Sequence, residues 1–129
     1  MGHKLIRGAI EYTSRKPERM GEVRGREIFS LSCQPDGTDV LLAHCEIDDA
    51  PKVTRDVCLA LRHANSSPID CSVRLSVGGQ FEGSGWMRFA KGYAVYRSCC
   101  RSYSFVRSRV ARISSRGRDT QAEESRCRD

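Results

Sequence analysis

The sequence predicts an all-β protein: a small antiparallel barrel, or a strongly coiled meander sheet, of five to seven strands. Two observations predict this class. Apolar residues recur at every second position in several stretches of the chain, which is the period of a half-buried strand. Glycine, proline and aspartate cluster between these stretches, where antiparallel strands need tight turns. A length of 129 residues is typical of one domain.

The first hairpin is predicted from residues 27–33, EIFSLSC, and residues 39–47, DVLLAHCEI. The residues QPDGT lie between them and supply a proline and an Asp-Gly pair for the turn. The apolar file of the second strand contains Cys45 and Ile47, so His44 and Glu46 are expected on the opposite, solvent-facing side. Residues 48–51 then end this strand, because Asp-Asp-Ala-Pro disfavours further ladder pairing.

Two more strands are predicted at residues 53–61 and 69–77. Arg55 lies in the apolar file of the first, between Val53 and Val57. An arginine on an interior file needs a carboxylate partner or an anionic ligand group. The candidate carboxylates are those of Glu46, Asp70 and Glu82.

The glycine-rich stretch GGQFEGSGW, residues 78–86, is predicted to form a hairpin turn followed by a strand. A three-residue loop ending at Gln80 pairs Val77 with Phe81, and Leu75 with Gly83, and keeps the apolar faces together. No helix pattern follows, and there is no G-K-[ST] motif, so a phosphate-binding loop is not supported.

The chain divides into an N-terminal arm at residues 1–25, an antiparallel β domain at 26–98 and an Arg/Ser-rich tail at 99–129. The last strand of the β domain is GYAVYRS, residues 92–98. The tail is predicted to be partly disordered. Residues 1–90 hold equal numbers of basic and acidic residues, so the net charge of +6 comes from residues 91–129. A shifted reading frame near residue 90 is an alternative origin for this change of composition.

The cysteines are predicted to be reduced and to behave as small apolar side chains, rather than to form disulfides or a metal centre. Their number, seven, is odd, and no two are spaced as C-x-x-C. No signal-like or membrane-spanning apolar run is seen, so cytoplasmic localisation without a membrane partner is expected. No cofactor is expected. The sequence does not predict an oligomeric state.

Two segments carry a resemblance to known proteins. Residues 44–57, HCEIDDAPKVTRDV, and residues 73–89, VRLSVGGQFEGSGWMRF, resemble a group of small uncharacterised bacterial lipocalin-like β-barrel proteins. The resemblance covers about residues 26–89 and implies a compact antiparallel barrel. It implies no particular activity.

The leading functional hypothesis is a module that binds an apolar or amphipathic small molecule, because small barrels enclose cavities. Glycines in the apolar file leave space, a tryptophan stands at the rim and an arginine anchors a polar group. The candidate ligand-binding residues are Arg55, Glu82, Gly83, Gly85 and Trp86.

Two alternatives remain open. The Arg-rich segment could bind nucleic acid, with arginines on phosphates and aromatic rings stacked on bases. Its candidate residues are Arg101, Tyr103, Phe105, Arg107, Arg109 and Arg112. An enzyme acting on a hydrophobic metabolite is the other alternative. No catalytic residues for it can be named, because no Ser/His/Asp or Cys/His constellation follows from spacing.

Overall fold

A computed structural model describes residues 3–101, 107–112 and 123–125. These residues form one antiparallel sheet of nine strands, in which each strand is hydrogen-bonded to its neighbours in the chain. The strands are β1 Lys4–Thr13, β2 Val23–Cys33, β3 Thr38–Ile47, β4 Val53–Arg62, β5 Pro68–Val77, β6 Gln80–Ala90, β7 Tyr93–Cys100, β8 Arg107–Arg112 and β9 Glu123–Ser125. A short 3₁₀ turn spans Pro17–Arg19.

The predicted all-β antiparallel class is confirmed. Seven long strands, β1 to β7, alternate with short turns, and β8 and β9 extend the sheet beyond them. Within the described residues β1 and β9 are the two edges of an open meander. In the part of the chain described here, no helix has the length and apolar character needed to cross a membrane.

The segment that the sequence assigns to an N-terminal arm contains a strand. β1 pairs with β2 along its whole length, from Lys4 opposite Cys33 to Thr13 opposite Val23, with an irregularity between Tyr12 and Thr13. Most of its side chains are exposed, since β1 lies at an edge and nothing described covers either of its faces. An edge strand needs no strict apolar alternation, and for that reason its sequence carries little strand signal.

The hairpin between β5 and β6 differs from the predicted loop. Gly78 and Gly79 form a two-residue turn with φ of 59° and 77°, and Val77 pairs with Gln80. The register then shifts on β6 between Phe81 and Gly83, which leaves Glu82 as the extra residue of a β-bulge. Beyond the bulge, the expected pairing of Leu75 with Gly83 is found. The bulge thus restores the apolar register that a longer loop was predicted to give.

The register defines two faces of the sheet, because successive side chains on a strand point to opposite sides. One face carries the predicted apolar files of β2 to β6, including Leu41, Cys45, Leu59 and Val73. We call it the apolar face. The other face carries Leu42, His44, Asp56, Cys58, Ser72, Arg74, Ser84 and Trp86. We call it the cavity face, for the reason given below.

Few side chains are buried. Among the described hydrophobic residues, only Cys45 and Ala94 are buried, at 5% and 7% relative exposure. The described strands form a single layer, whereas most domains bury a sheet face against a second layer. Within residues 3–101, 107–112 and 123–125, no second layer covers either face of the sheet.

An open cavity on one face of the sheet

A cavity of about 930 Å³ crosses the middle of strands β1 to β7. We call a line of cross-strand neighbours that runs from strand to strand a row. The lining consists of two adjacent rows of the cavity face, together with the residues between these rows, such as Ala43 and Gly85. The volume lies at the upper end of the range of small-molecule sites. The cavity is open to solvent, since Ile28 and Leu42 in its lining are 58% and 51% exposed.

The first row of the lining is apolar at its centre and basic at its ends. Cross-strand pairing places Leu42 beside Cys58, and Trp86 beside Ser72. The row begins at Arg7 on β1 and reaches Arg97 on β7. An apolar molecule placed along this row would cover Leu42 and Trp86, both of which are largely exposed.

The second row carries charge. His44, Asp56 and Arg74 are successive cross-strand neighbours on β3, β4 and β5. Nδ1 of His44 lies 2.6 Å from Oδ1 of Asp56, and Nε2 lies 3.2 Å from Oε1 of Glu46. Hydrogen bonding to Asp56, and then to Glu46, raises the pKa of His44 above its ordinary value.

The arrangement around His44 favours the imidazolium form. Both ring nitrogens face carboxylate oxygens, which only accept hydrogen bonds, so the geometry is satisfied when both nitrogens carry a proton. A histidine held in this way has no unprotonated nitrogen with which to accept a proton from a substrate. In the imidazolium form the group is therefore a charge pair rather than a general base.

The arginines of the lining give the cavity a positive balance. Among the residues that the structure describes, Arg7, Arg74 and Arg97 line it together with a single acidic residue, Asp56. Among the described residues, none of these three arginines has a carboxylate within ion-pair distance. The Arg74 guanidinium lies over the ring of Phe81, 4.4 Å from its centroid. The described lining thus carries more positive than negative charge.

The structure brings together two of the five predicted ligand-binding residues. Trp86 and Gly85 both line the cavity, Gly85 through its backbone. Arg55 and Gly83 are cross-strand neighbours of Leu75 on the apolar face, and neither lines the cavity. Glu82 is the residue of the β-bulge, and its carboxylate lies 3.8 Å from Nη1 of Arg101.

Arg55 has a different partner from those that the sequence suggested. Its Nη2 lies 3.9 Å from Oε2 of Glu27 on the apolar face, rather than near Glu46, Asp70 or Glu82. The same Glu27 oxygen accepts a 2.6 Å hydrogen bond from the hydroxyl of Tyr12. This hydrogen bond is the main reason that the pKa of Tyr12 is raised from 10.0 to about 12.

The candidate nucleic-acid residues lie mostly where side chains are not described. Arg107, Arg109 and Arg112 belong to β8, for which only the backbone is described. Tyr103 and Phe105 fall outside the described residues. Arg101 is exposed and donates a hydrogen bond to Gln80. Nucleic-acid binding by this segment stays a prediction.

Sequence reasoning did not select the charged residues of the cavity. Arg7, Arg74 and Arg97 come from three strands far apart in the chain, and His44 was expected to face solvent. If the pairing register of every hairpin were known, these residues could have been placed in adjacent rows. That register depends on the length of each turn, which the sequence does not fix at every hairpin. The period alone tells which residues share a face and not which face encloses a cavity.

Comparisons with known proteins add no identification: the sequence matches no protein-family model and no curated protein, and the fold matches no solved structure.

Proposed function

We propose that this protein binds a small amphipathic molecule with an acidic head group in the cavity of the sheet. The observation that carries the proposal is the composition of the lining, in which an apolar centre is combined with three arginines and one acidic residue. Ligand sites commonly combine apolar walls with a few polar groups that fix orientation. The size of the cavity suits such a molecule.

The apolar part of the ligand would lie over the centre of the first row. Leu42, Cys58 and Trp86 provide apolar surface there, and covering exposed apolar surface contributes about 25 cal/mol per Å². The arrangement differs from the one inferred from the sequence, in which space came from missing side chains at Gly83 and Gly85. Here the space lies above the sheet.

The acidic head group would pair with an arginine of the lining. A guanidinium binds a carboxylate or phosphate through two parallel hydrogen bonds, which gives orientation as well as affinity. Arg74 and Arg97 stand on opposite sides of Trp86, on β5 and β7. In this proposal they take the role that the sequence assigned to Arg55.

Trp86 provides the readout, because it is the protein's single tryptophan and lies in the lining. The probes are dodecanoate, which has both a tail and a charge, dodecanol, which lacks the charge, and acetate, which lacks the tail. We expect saturable change of Trp86 fluorescence with dodecanoate, a weaker response to dodecanol and none to acetate.

Two substitutions locate the site. Arg97→Gln should weaken dodecanoate binding and leave dodecanol binding unchanged, while Leu42→Glu should weaken both. Arg62→Gln is the matched control, since Arg62 ends β4, is exposed and does not line the cavity. Equal dodecanoate affinity in wild type, Arg97→Gln and Leu42→Glu would rule the proposal out.

A further inference from the structure

A second group of reactive side chains lies outside the cavity, at the end of the sheet where β2 meets β3. Cys33 is the last residue of β2, and Asp39, near the start of β3, is its cross-strand partner. His63 directly follows the end of β4. Its backbone nitrogen donates a 2.8 Å hydrogen bond to the carbonyl of Gly37 in the β2–β3 turn.

The three side chains converge on one point. Nδ1 of His63 lies 2.9 Å from Oδ2 of Asp39, and one ligand atom from each of Cys33, Asp39 and His63 lies within 4.8 Å of the other two. The carboxylate of Asp39 thus contacts His63 directly and lies near the Cys33 thiol.

We propose that Cys33, Asp39 and His63 form a binding site for a zinc ion. Thiolate, imidazole nitrogen and carboxylate oxygen are the three protein ligand types that Zn²⁺ takes. Zinc–ligand bonds of about 2.0–2.3 Å place the ligand atoms of a tetrahedron about 3.3–3.8 Å apart. Separations of up to 4.8 Å need to close by at most about 1.5 Å, and the 2.9 Å between His63 and Asp39 needs to open slightly. The His63 side chain is 56% exposed and has room to move.

The ligand number defines the kind of site. Three protein ligands leave the fourth tetrahedral position for water, which is the arrangement of an open zinc site. Binding releases the proton of the Cys33 thiol, so affinity should increase with pH. The Asp39 side chain is 17% exposed and the His63 side chain is at the surface, so the ion has a path from solvent.

The position of the site gives it a structural consequence. It would join the end of β2, the start of β3 and the residue after β4. Without the ion these points are linked by backbone pairing, by one turn contact and by the hydrogen bond between His63 and Asp39. A ligand that binds only the folded state stabilises it in proportion to the logarithm of its concentration. Zinc should therefore raise the unfolding temperature of the protein.

The test uses the full chain, reduced with a phosphine and freed of metal, and titrated with Zn²⁺ and with Co²⁺ as the spectroscopic probe. We expect one equivalent to bind, with a thiolate-to-Co²⁺ charge-transfer band. Cys33→Ser should abolish that band. His63→Gln should weaken zinc binding by more than the about 10–100-fold that follows loss of an outer-shell partner.

Cys100→Ser is the matched control, because Cys100 is an exposed cysteine on β7, away from this end of β2 and β3. It should keep both the band and the affinity. His63→Gln replaces a surface residue after the strand, so it tests the site even if Cys33→Ser does not fold. No zinc binding by wild type, or equal binding by wild type and His63→Gln, would overturn the proposal.

Discussion

His44 and Asp56 form a directly opposed cross-strand pair, with Nδ1 of the imidazole 2.6 Å from Oδ1 of the carboxylate. Because the pair favours the charged imidazole, we expect the His44 pKa to lie above the ordinary value of 6.5. Asp56→Asn should lower it, and histidine ¹H–¹³C NMR across a pH titration measures both values. Asp49→Asn is the control, since Asp49 pairs with Arg24 instead. An unchanged His44 pKa in Asp56→Asn would contradict the assignment.

The same pair predicts the direction of a pH dependence of stability. A group whose pKa is higher in the folded state contributes stability below its unfolded pKa and loses that contribution as pH rises through the folded value. For His44 the loss begins above about pH 6.5. The free energy of unfolding of the wild type should therefore decline between the unfolded-state and the folded-state pKa of His44. Urea unfolding should show a smaller decline in Asp56→Asn. A decline of equal slope in wild type and Asp56→Asn would argue against this linkage.

Tyr12 and Glu27 give a second titration on the opposite face. Glu27→Gln removes the carboxylate that accepts the Tyr12 hydrogen bond, and with it the negative charge that opposes ionisation of Tyr12. The Tyr12 pKa should therefore fall from about 12 towards 10.0. Selective ¹³C labelling of tyrosine resolves the tyrosine signals, and the variant Tyr12→Phe identifies the signal of Tyr12. Glu22→Gln is the control, because Glu22 pairs with Arg19 instead. Equal Tyr12 titration in both variants would show that Glu27 is not the cause.

Two glycines on β6 should respond differently to alanine. A Cβ at Gly83 would stand 3.0 Å from the carbonyl oxygen of Cys99, while one at Gly85 has 3.8 Å to that of Arg97. Gly83→Ala should therefore destabilise the protein. Gly85→Ala should be neutral or stabilising by up to about 1 kcal/mol, since alanine restricts the unfolded chain. Thermal unfolding ranks the two variants, and the reverse order would contradict the described packing.

The two-residue turn between β5 and β6 depends on Gly79. Its φ of 77° lies in the left-handed region, where a Cβ costs about 1–2 kcal/mol. Gly79→Ala should lower the free energy of unfolding by about that amount, and Gly79→Asn by less, because asparagine tolerates this region. Chemical denaturation of both variants checks the order. If alanine and asparagine were equally tolerated, the turn would not be of this type.

Alternation in the sequence predicted which residues share a face, since the period of a strand is two and the hairpin turns are marked by glycine and proline. It failed where the backbone leaves that period. Because of the bulge at Glu82, Phe81 does not share a face with Val77. The Phe81 side chain lies instead on the cavity face, beside Arg74.

Other features leave no mark on the local sequence. β1 was read as an arm because an edge strand exposed on both faces needs no apolar file. The Cys33, Asp39 and His63 group has no short metal-binding spacing, since its members come from the ends of three strands. Such a group becomes visible only when the turn lengths bring the strand ends into one place.

The connectivity of the meander makes the protein resemble a linear array of repeats. Each strand from β2 to β8 bonds only to the strand before it and the strand after it in the chain. Coupling between distant strands must then pass through every strand between them, as in repeat proteins whose stability is a sum of neighbour terms. Opening should accordingly begin at the ends of the array and advance strand by strand, leaving the β4–β6 centre as the last region to exchange its amide protons.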